Sequence, residues 1–98
     1  MEHFLIYVTY RTKPGCRELF VKALTEQGVL DAVRKEDGCY RYEYFFSSED
    51  ENSLLLLEEW ESEAHQRIHV KQPHMAQAME LKARYVEEAR IGKYMLLP

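Results

Sequence analysis

The sequence predicts an α+β fold in which a four-stranded antiparallel sheet carries two helices on one face. Strand-like and helix-like patterns follow one another in the order β-α-β-β-α-β, which is the ferredoxin-like arrangement. The chain has 98 residues, of which 46% are hydrophobic, so it can bury one core. No internal repeat or linker-like change of composition divides it. We therefore predict a single domain over residues 1–98.

The first half of the pattern contains one strand and one helix. Residues 3–11 are β-branched and aromatic, as expected of a strand. The segment TKPG then forms a turn, and apolar residues recur at helical spacing as far as KEDG. These residues are Leu19, Phe20, Ala23, Leu24, Leu30 and Val33. Gly28 lies inside this helix and is expected to kink or interrupt it.

The second half contains two strands, a helix and a last strand. Residues 39–46 alternate, and four aromatic side chains are predicted on one face: Tyr40, Tyr42, Tyr44 and Phe46. The turn SSEDEN leads to a strand over residues 53–60, after which Ser62 is a candidate N-cap. The helix that follows is expected to bend or restart at Pro73. A final strand is predicted over residues 91–97.

Large apolar residues are expected on both faces of the sheet. The strand segments FLIYV and SLLLL hold consecutive apolar residues, whereas a sheet covered on one side should alternate apolar and polar. An uncovered apolar face of that size is unusual for a monomer. We therefore predict a homodimer packed sheet against sheet, with roughly 800 Å² or more buried per partner. A pocket is then expected on the other side of each sheet, between strands and helices.

Composition and charge exclude several classes of partner. Charged residues make up 31% of the chain and are interspersed, with a formal net charge of −4 and no basic patch for nucleic acid or an anionic membrane. The longest apolar runs are too short to span a bilayer. The N-terminal segment MEHFLIYVTYR lacks the features of a signal peptide, so we expect a cytoplasmic protein. Cys16 and Cys39 make neither a disulfide framework nor a metal knuckle.

The segment EEWESEAHQRIHVKQPHM contains three histidines within ten residues. His65 and His69 are spaced i, i+4 and share a helical face, a spacing that zinc sites use. Gln66 stands where the zincin motif needs a glutamate, and a third ligand would have to be His74 or Glu61. The pattern is a weak metal signal, so we predict no metal. His65 lies in a polar segment and is expected to be exposed.

The same segment predicts an acid–base site more strongly. His69 and His74 can each place an imidazole in the pocket, where its pKa suits proton transfer. Glu58 shares a strand face with leucines, so its carboxylate needs a partner or a raised pKa, and it is either a structural anchor or an acid–base group. Trp60 lies on that face and offers a flat surface for an aromatic ring, unless it is ordinary core. Tyr40 and Tyr42, otherwise packing residues, could add hydroxyl groups.

Three blocks of the sequence resemble the antibiotic biosynthesis monooxygenase domain family: KPGCRELF, KEDGCYRYEYF and LEEWESEAHQRIHVKQPHM. The last block is most similar to the bacterial quinol monooxygenases of that family. The resemblance implies a dimeric α+β barrel of ferredoxin-like subunits that binds small aromatic molecules between sheet and helices. It carries over Glu58, Trp60, His69 and His74 as pocket residues, and His65 for the quinol subgroup alone.

The chemistry implied by the resemblance is oxidation by molecular oxygen, as co-substrate, without metal, flavin or haem. A deprotonated quinol or phenol is electron-rich enough to reduce oxygen itself, so the protein has to remove a proton, hold the ring and exclude water. In this hypothesis His69 is the base. His74 or Glu58 orients it or binds the substrate oxygens, and Trp60 forms the wall against the ring.

Three alternatives share the fold. Haem-degrading members use an asparagine in the first strand, which HFLIYVTYR lacks, and Met79 lies near the position of their haem ligand. Isomerases of a small phosphorylated dione, the autoinducer-2 phosphate type, share the histidines but have a tyrosine in place of Trp60. A phosphate would also favour an Arg or Lys cluster, which the chain supplies loosely at best. A non-catalytic, dimeric small-molecule-binding module is the third alternative.

Overall fold

The computed structural model describes residues 3–96, which contain four strands and four helices. In chain order these are β1 (His3–Thr12), α1 (Arg17–Glu26), α2 (Val29–Arg34), β2 (Cys39–Phe46), β3 (Ser53–Trp60), α3 (Glu63–His69), α4 (Met75–Tyr85) and β4 (Val86–Leu96). The predicted ferredoxin-like α+β class is confirmed, with each predicted helix divided in two. Gly28 separates α1 from α2 with a φ of 77°, a left-handed conformation that favours glycine.

The strands form one antiparallel sheet in the order β2-β3-β1-β4. Every second residue of β1 and β3 is buried, as the period of a strand requires. These side chains join buried residues of the helices in one hydrophobic core, whose largest fully buried members include Trp60, Phe20, Leu24 and Leu56. We call the face of the sheet that packs on the helices the inner face, and the opposite one the outer face.

The last strand begins earlier than predicted. Strand β4 starts at Val86 rather than Ile91, directly after the last residue of α4 and with no loop between them. It pairs with β1 from Thr12 opposite Val86 to His3 opposite Leu96. The residues near the start of this strand, EEAR, are mostly charged and so lack the apolar pattern by which a strand is recognised in a sequence. Strand β4 lies at the edge of the sheet, where charged side chains are tolerated. Leu97, the predicted end of the strand, lies outside the described residues.

A register shift in β2 changes the predicted face of one tyrosine. Cys39 pairs with Trp60 and Arg41 with the neighbouring Glu59, so Tyr40 is an extra residue between them. The Tyr40 side chain is 52% exposed and stacks on His3, with 4.6 Å between ring centroids. The prediction that Tyr40 and Tyr42 share a face is therefore wrong, since alternation fails at a bulge. Tyr42 is buried on the inner face.

The outer face is apolar at its centre. Alternate residues of β1 and β3, namely Leu5, Tyr7, Leu55 and Leu57, are half-buried, and Phe45 of β2 is exposed. The apolar character expected on both sides of the sheet is thus present in the strands. Among residues 3–96, the helices are too short or too polar to cross a membrane.

Candidate active site

Strand β3 places Glu58 and Trp60 side by side on the inner face. Both are buried, with 5% and 0% of their surfaces exposed. The indole Nε1–H of Trp60 donates a hydrogen bond of 3.0 Å to Glu58 Oε1. This bond gives the buried carboxylate one of the partners that its removal from water demands. The two residues share a face because they are two positions apart in a strand.

Helix α3 brings His69 onto this pair. The Ser62 side chain accepts a hydrogen bond from the His65 backbone N–H at the start of the helix, which confirms the predicted N-cap. Two turns later, His69 lies with its ring centroid 4.7 Å from that of Trp60 and 5.5 Å from that of Tyr42. Its Nε2 is 3.9 Å from Glu58 Oε1.

Glu36 completes the cluster and was not predicted. It lies in the turn between α2 and β2, and its Oε2 contacts His69 Nδ1 at 2.9 Å and His74 Nε2 at 2.7 Å. One carboxylate oxygen therefore links the end of α3 to the N-cap residue of α4. Sequence periodicity gives no signal for a glutamate in a polar turn. The one signal in the sequence is that Glu36 lies in the block KEDGCYRYEYF, one of the three that resemble the monooxygenase family.

Burial sets the electrostatics of the cluster. Removal from water raises the pKa of Glu58 to about 7, although the Trp60 hydrogen bond and the Lys82 ammonium oppose this shift. Burial also lowers the pKa of His69, against the hydrogen bond and charge of Glu36. The site thus contains a carboxyl group that can bind or release a proton near neutral pH, beside an imidazole that favours its neutral form.

The cluster is closely packed, and His74 is its outlet to solvent. Side-chain exposure is 2% for His69, 9% for Glu36 and 21% for His74. A ligand ring that reaches Trp60 must displace neighbouring side chains. A separate open groove of about 470 Å³ lies at the other end of the sheet, where its lining includes Thr9, Arg11, Phe45, Ser53, Leu55 and Arg90. That groove contains none of the cluster residues.

Of the predicted site residues, the structure brings five together and leaves one out. Glu58, Trp60, His69, His74 and Tyr42 lie in or against the cluster, and Glu36 joins them. Tyr40 lies on the outer face, where its hydroxyl donates a 3.4 Å hydrogen bond to Glu61. Two imidazole nitrogens and one carboxylate oxygen, from His69, His74 and Glu36, are donors of the kind that could hold a metal ion.

His65 is more enclosed than predicted. Its side chain is 22% exposed, its Nδ1 lies 2.7 Å from Ser62 Oγ, and its Nε2 lies 3.4 Å from Asp37 Oδ2. The imidazole also covers Gly38, where a Cβ atom would lie only 2.4 Å from the His65 ring. His65 therefore packs on the same turn that carries Glu36, which is a structural contact with the site rather than membership of it.

Replacing Gly38 with alanine should destabilise the protein more than replacing Gly28. Both glycines have a positive φ, 80° and 77°, so both substitutions carry a backbone cost of about 1–2 kcal/mol. Nothing lies within 4 Å of a Cβ at Gly28, so the clash with His65 is specific to Gly38. Urea unfolding of the two variants measures the difference. Equal losses of stability would contradict the contact between His65 and the turn.

The chain is similar in sequence to members of a known protein family. Residues 3–81 match the sequence profile of the family described as antibiotic biosynthesis monooxygenase. An Escherichia coli K12 protein, "Probable quinol monooxygenase YgiN", is 33% identical over a 75-residue alignment, and the match covers 66% of this chain and 70% of that protein.

Solved structures agree at the level of the fold. Protein SO0527 from Shewanella oneidensis matches with a TM-score of 0.85 at 20% identity, covering 97% of this chain and 91% of that one. PA3566 from Pseudomonas aeruginosa matches with a TM-score of 0.85 at 18% identity, covering 100% and 97% of the two chains. With the family profile spanning most of its length, the chain belongs to the antibiotic biosynthesis monooxygenase family.

Proposed function

We propose that this protein is a cofactor-independent monooxygenase that oxidises a small aromatic substrate of the quinol or polyphenol type with molecular oxygen. The observation that carries the proposal is the buried row Glu36–His69–Glu58 beside the ring of Trp60. Such a row supplies proton transfer next to an aromatic surface, which is what this reaction needs from a protein. Family membership and the name of the Escherichia coli relative support the same class of reaction.

In the proposed mechanism His69 removes the proton of a substrate hydroxyl group. Glu36 accepts a hydrogen bond from Nδ1–H of His69, which leaves the Nε2 lone pair directed toward Glu58 and the inner face. Glu36 thus plays the role of the carboxylate that holds a catalytic histidine in one tautomer. Glu58 has a pKa suited to returning the proton at a later step. His74, at the solvent edge, binds or orients the incoming substrate.

The proposed reaction balances without an added reductant. The deprotonated ring gives electrons to oxygen, a carbon–oxygen bond forms at a ring C–H position, and cleavage of the O–O bond releases water. One oxygen atom stays on the ring and the other leaves as water. The substrate supplies all four electrons, so a hydroquinone becomes a hydroxyquinone. Trp60 would stack on the ring, and closure around it would keep the reactive intermediate from solvent.

Replacing His69 with glutamine should lower the rate of oxygen consumption by at least about 100-fold, because general base catalysis contributes roughly 10²- to 10⁴-fold. An oxygen electrode measures the rate with a panel of hydroquinones, using chelator-treated protein. His3→Gln is the matched control, since His3 lies in β1 and bonds to Glu59 away from the cluster. Circular dichroism checks that both variants fold.

Retained oxygen uptake in His69→Gln would refute His69 as the base. Wild-type protein that consumes no oxygen with any quinol would refute the oxygenase itself. Conversion of a phosphorylated dione without oxygen uptake would then assign the isomerase. Ligand binding without turnover would assign a binding module.

We also propose that the protein is a homodimer in which two outer faces pack together. The half-buried residues at the centre of that face, including Leu5, Tyr7 and Leu57, give it an apolar surface that the helices leave uncovered. Leu57→Lys should convert the dimer to a monomer, because it would place a charge in the centre of the interface. Sedimentation velocity measures the mass. Leu19→Lys, at a 50% exposed position of α1, should remain dimeric, and a monomeric wild type would refute the proposal.

A further inference from the structure

We propose that Glu36, His69 and His74 also form a binding site for a divalent ion of the zinc class, and that occupation of this site inhibits the enzyme. The inhibition rests on the proposed function, whereas the binding does not. The donor atoms are Glu36 Oε2, His69 Nδ1 and His74 Nε2, and the potential ligand atoms of the three residues lie within 4.8 Å of one another. Imidazole nitrogen and carboxylate oxygen are the ligands that Zn²⁺ takes in catalytic sites, where three protein ligands leave one position open.

The three donors are close to the spacing that a metal requires. The distances from Glu36 Oε2 are 2.9 Å to His69 and 2.7 Å to His74, as in hydrogen bonds. Ligands about 2.0–2.1 Å from a tetrahedral zinc ion lie about 3.3 Å apart, so each nitrogen must move outward by roughly half an ångström. The metal would replace the protons in the two hydrogen bonds between Glu36 and the histidines. Because metal binding releases protons, the affinity for the metal should increase with pH.

The surroundings of the donors resemble a supported metal site. The ring of His69 presents Nδ1 to Glu36 and Nε2 to Glu58, at 3.9 Å from Oε1. Metal-bound histidines commonly donate their other ring N–H to a carboxylate, which orients the ring. The carboxylates of Glu36 and Glu58 both lie beside His69 and are largely shielded from solvent, and a bound cation would offset their negative charge.

The site is also accessible and its ligands are distributed over separate elements. His74 is 21% exposed, so an ion and its water ligand can enter from that edge. Glu36 comes from the turn after α2, His69 from the end of α3 and His74 from the N-cap of α4. His65 is not a ligand of this site, because its ring contacts Ser62 and Asp37. This ligand set differs from the His65–His69 pair that spacing alone suggests.

Binding can be followed through the single tryptophan of the chain. Trp60 lies 4.7 Å from the ring of His69, so a paramagnetic Ni²⁺ ion bound there should quench its fluorescence. Untagged wild-type protein should give a saturable one-to-one titration with Ni²⁺, and Zn²⁺ should reverse the quenching by competition. Glu36→Gln and His74→Gln should weaken Ni²⁺ binding by at least about tenfold, because each removes a ligand. His3→Gln is the control and should bind like the wild type.

Lack of saturable quenching up to millimolar Ni²⁺ would overturn the site, as would equal affinity in wild type and both ligand variants. In the activity arm, Zn²⁺ should stop oxygen uptake over the concentration range in which it displaces Ni²⁺. If Ni²⁺ quenches the fluorescence of a protein that consumes no oxygen, the metal site is supported and the oxygenase function is refuted. Oxygen uptake that Zn²⁺ does not affect would refute the inhibition.

Discussion

Replacing Trp60 with alanine is expected to lower the free energy of unfolding by about 3–5 kcal/mol, the usual cost of deleting a buried aromatic side chain. The Trp60 side chain has 0% exposure, and its ring contacts His69. Its loss would leave a cavity and would also remove the hydrogen-bond donor to Glu58. Small domains have about 5–15 kcal/mol of stability in total, so the variant should be close to unfolding at physiological temperature.

Thermal unfolding of Trp60→Ala has to be monitored by circular dichroism. Tryptophan fluorescence cannot be used, because the substitution removes the only tryptophan of the chain. Trp60→Phe is the matched variant, which keeps most of the volume and loses the N–H group. It should lie between wild type and Trp60→Ala. If Trp60→Ala lowers the melting temperature by less than about 5 °C, Trp60 borders an open pocket and is not part of the packed core.

The contribution of Glu58 to stability is expected to fall by about 3 kcal/mol as the pH rises from 4.5 to 8, because its carboxyl group ionises over this range. Burial raises the pKa of this group to about 7, above its ordinary value of 4.5. The folded state therefore holds a proton that the unfolded state has released, and this contribution to stability is complete below pH 4.5 and lost as the pH passes 7. His69, whose pKa is lowered, acts in the opposite direction in acid.

The Glu58 contribution is isolated by comparing wild type with Glu58→Gln in urea unfolding at several pH values. Glutamine keeps an acceptor for the Trp60 N–H group but cannot ionise. Chelator-treated protein is used so that the carboxylates have no bound cation. The difference in stability between the two proteins should shift by about 3 kcal/mol in favour of the variant across this range. A constant difference would mean that Glu58 is hydrated or paired in solution.

The parts of the fold that local patterns determine could be predicted from the sequence. The alternation in β3 placed Glu58 and Trp60 on one face, and both are found there. Ser62 could be identified as an N-cap because the cap involves residues three apart in the chain. In each case the controlling interaction is between neighbours, and the periods of strand and helix carry the information.

The remaining features depend on tertiary contacts. Glu36 is 33 residues from His69 and 38 from His74, and a polar turn gives no period that would point it inward. Tyr40 lies on the face opposite to the predicted one because one extra residue in β2 resets the alternation, and nothing in the local sequence marks the bulge. The early residues of β4 are charged, so their pairing with β1 is visible only when the partner strand is known.

The direct passage from α4 to β4 makes the junction between Tyr85 and Val86 intolerant of changes in length. One inserted residue would either rotate the helix by about 100° relative to the sheet or shift the last strand by one position. The first change would withdraw Leu81 from the interior, and the second would exchange the two sides of β4. Insertions used to attach a reporter or a tether should therefore avoid this junction.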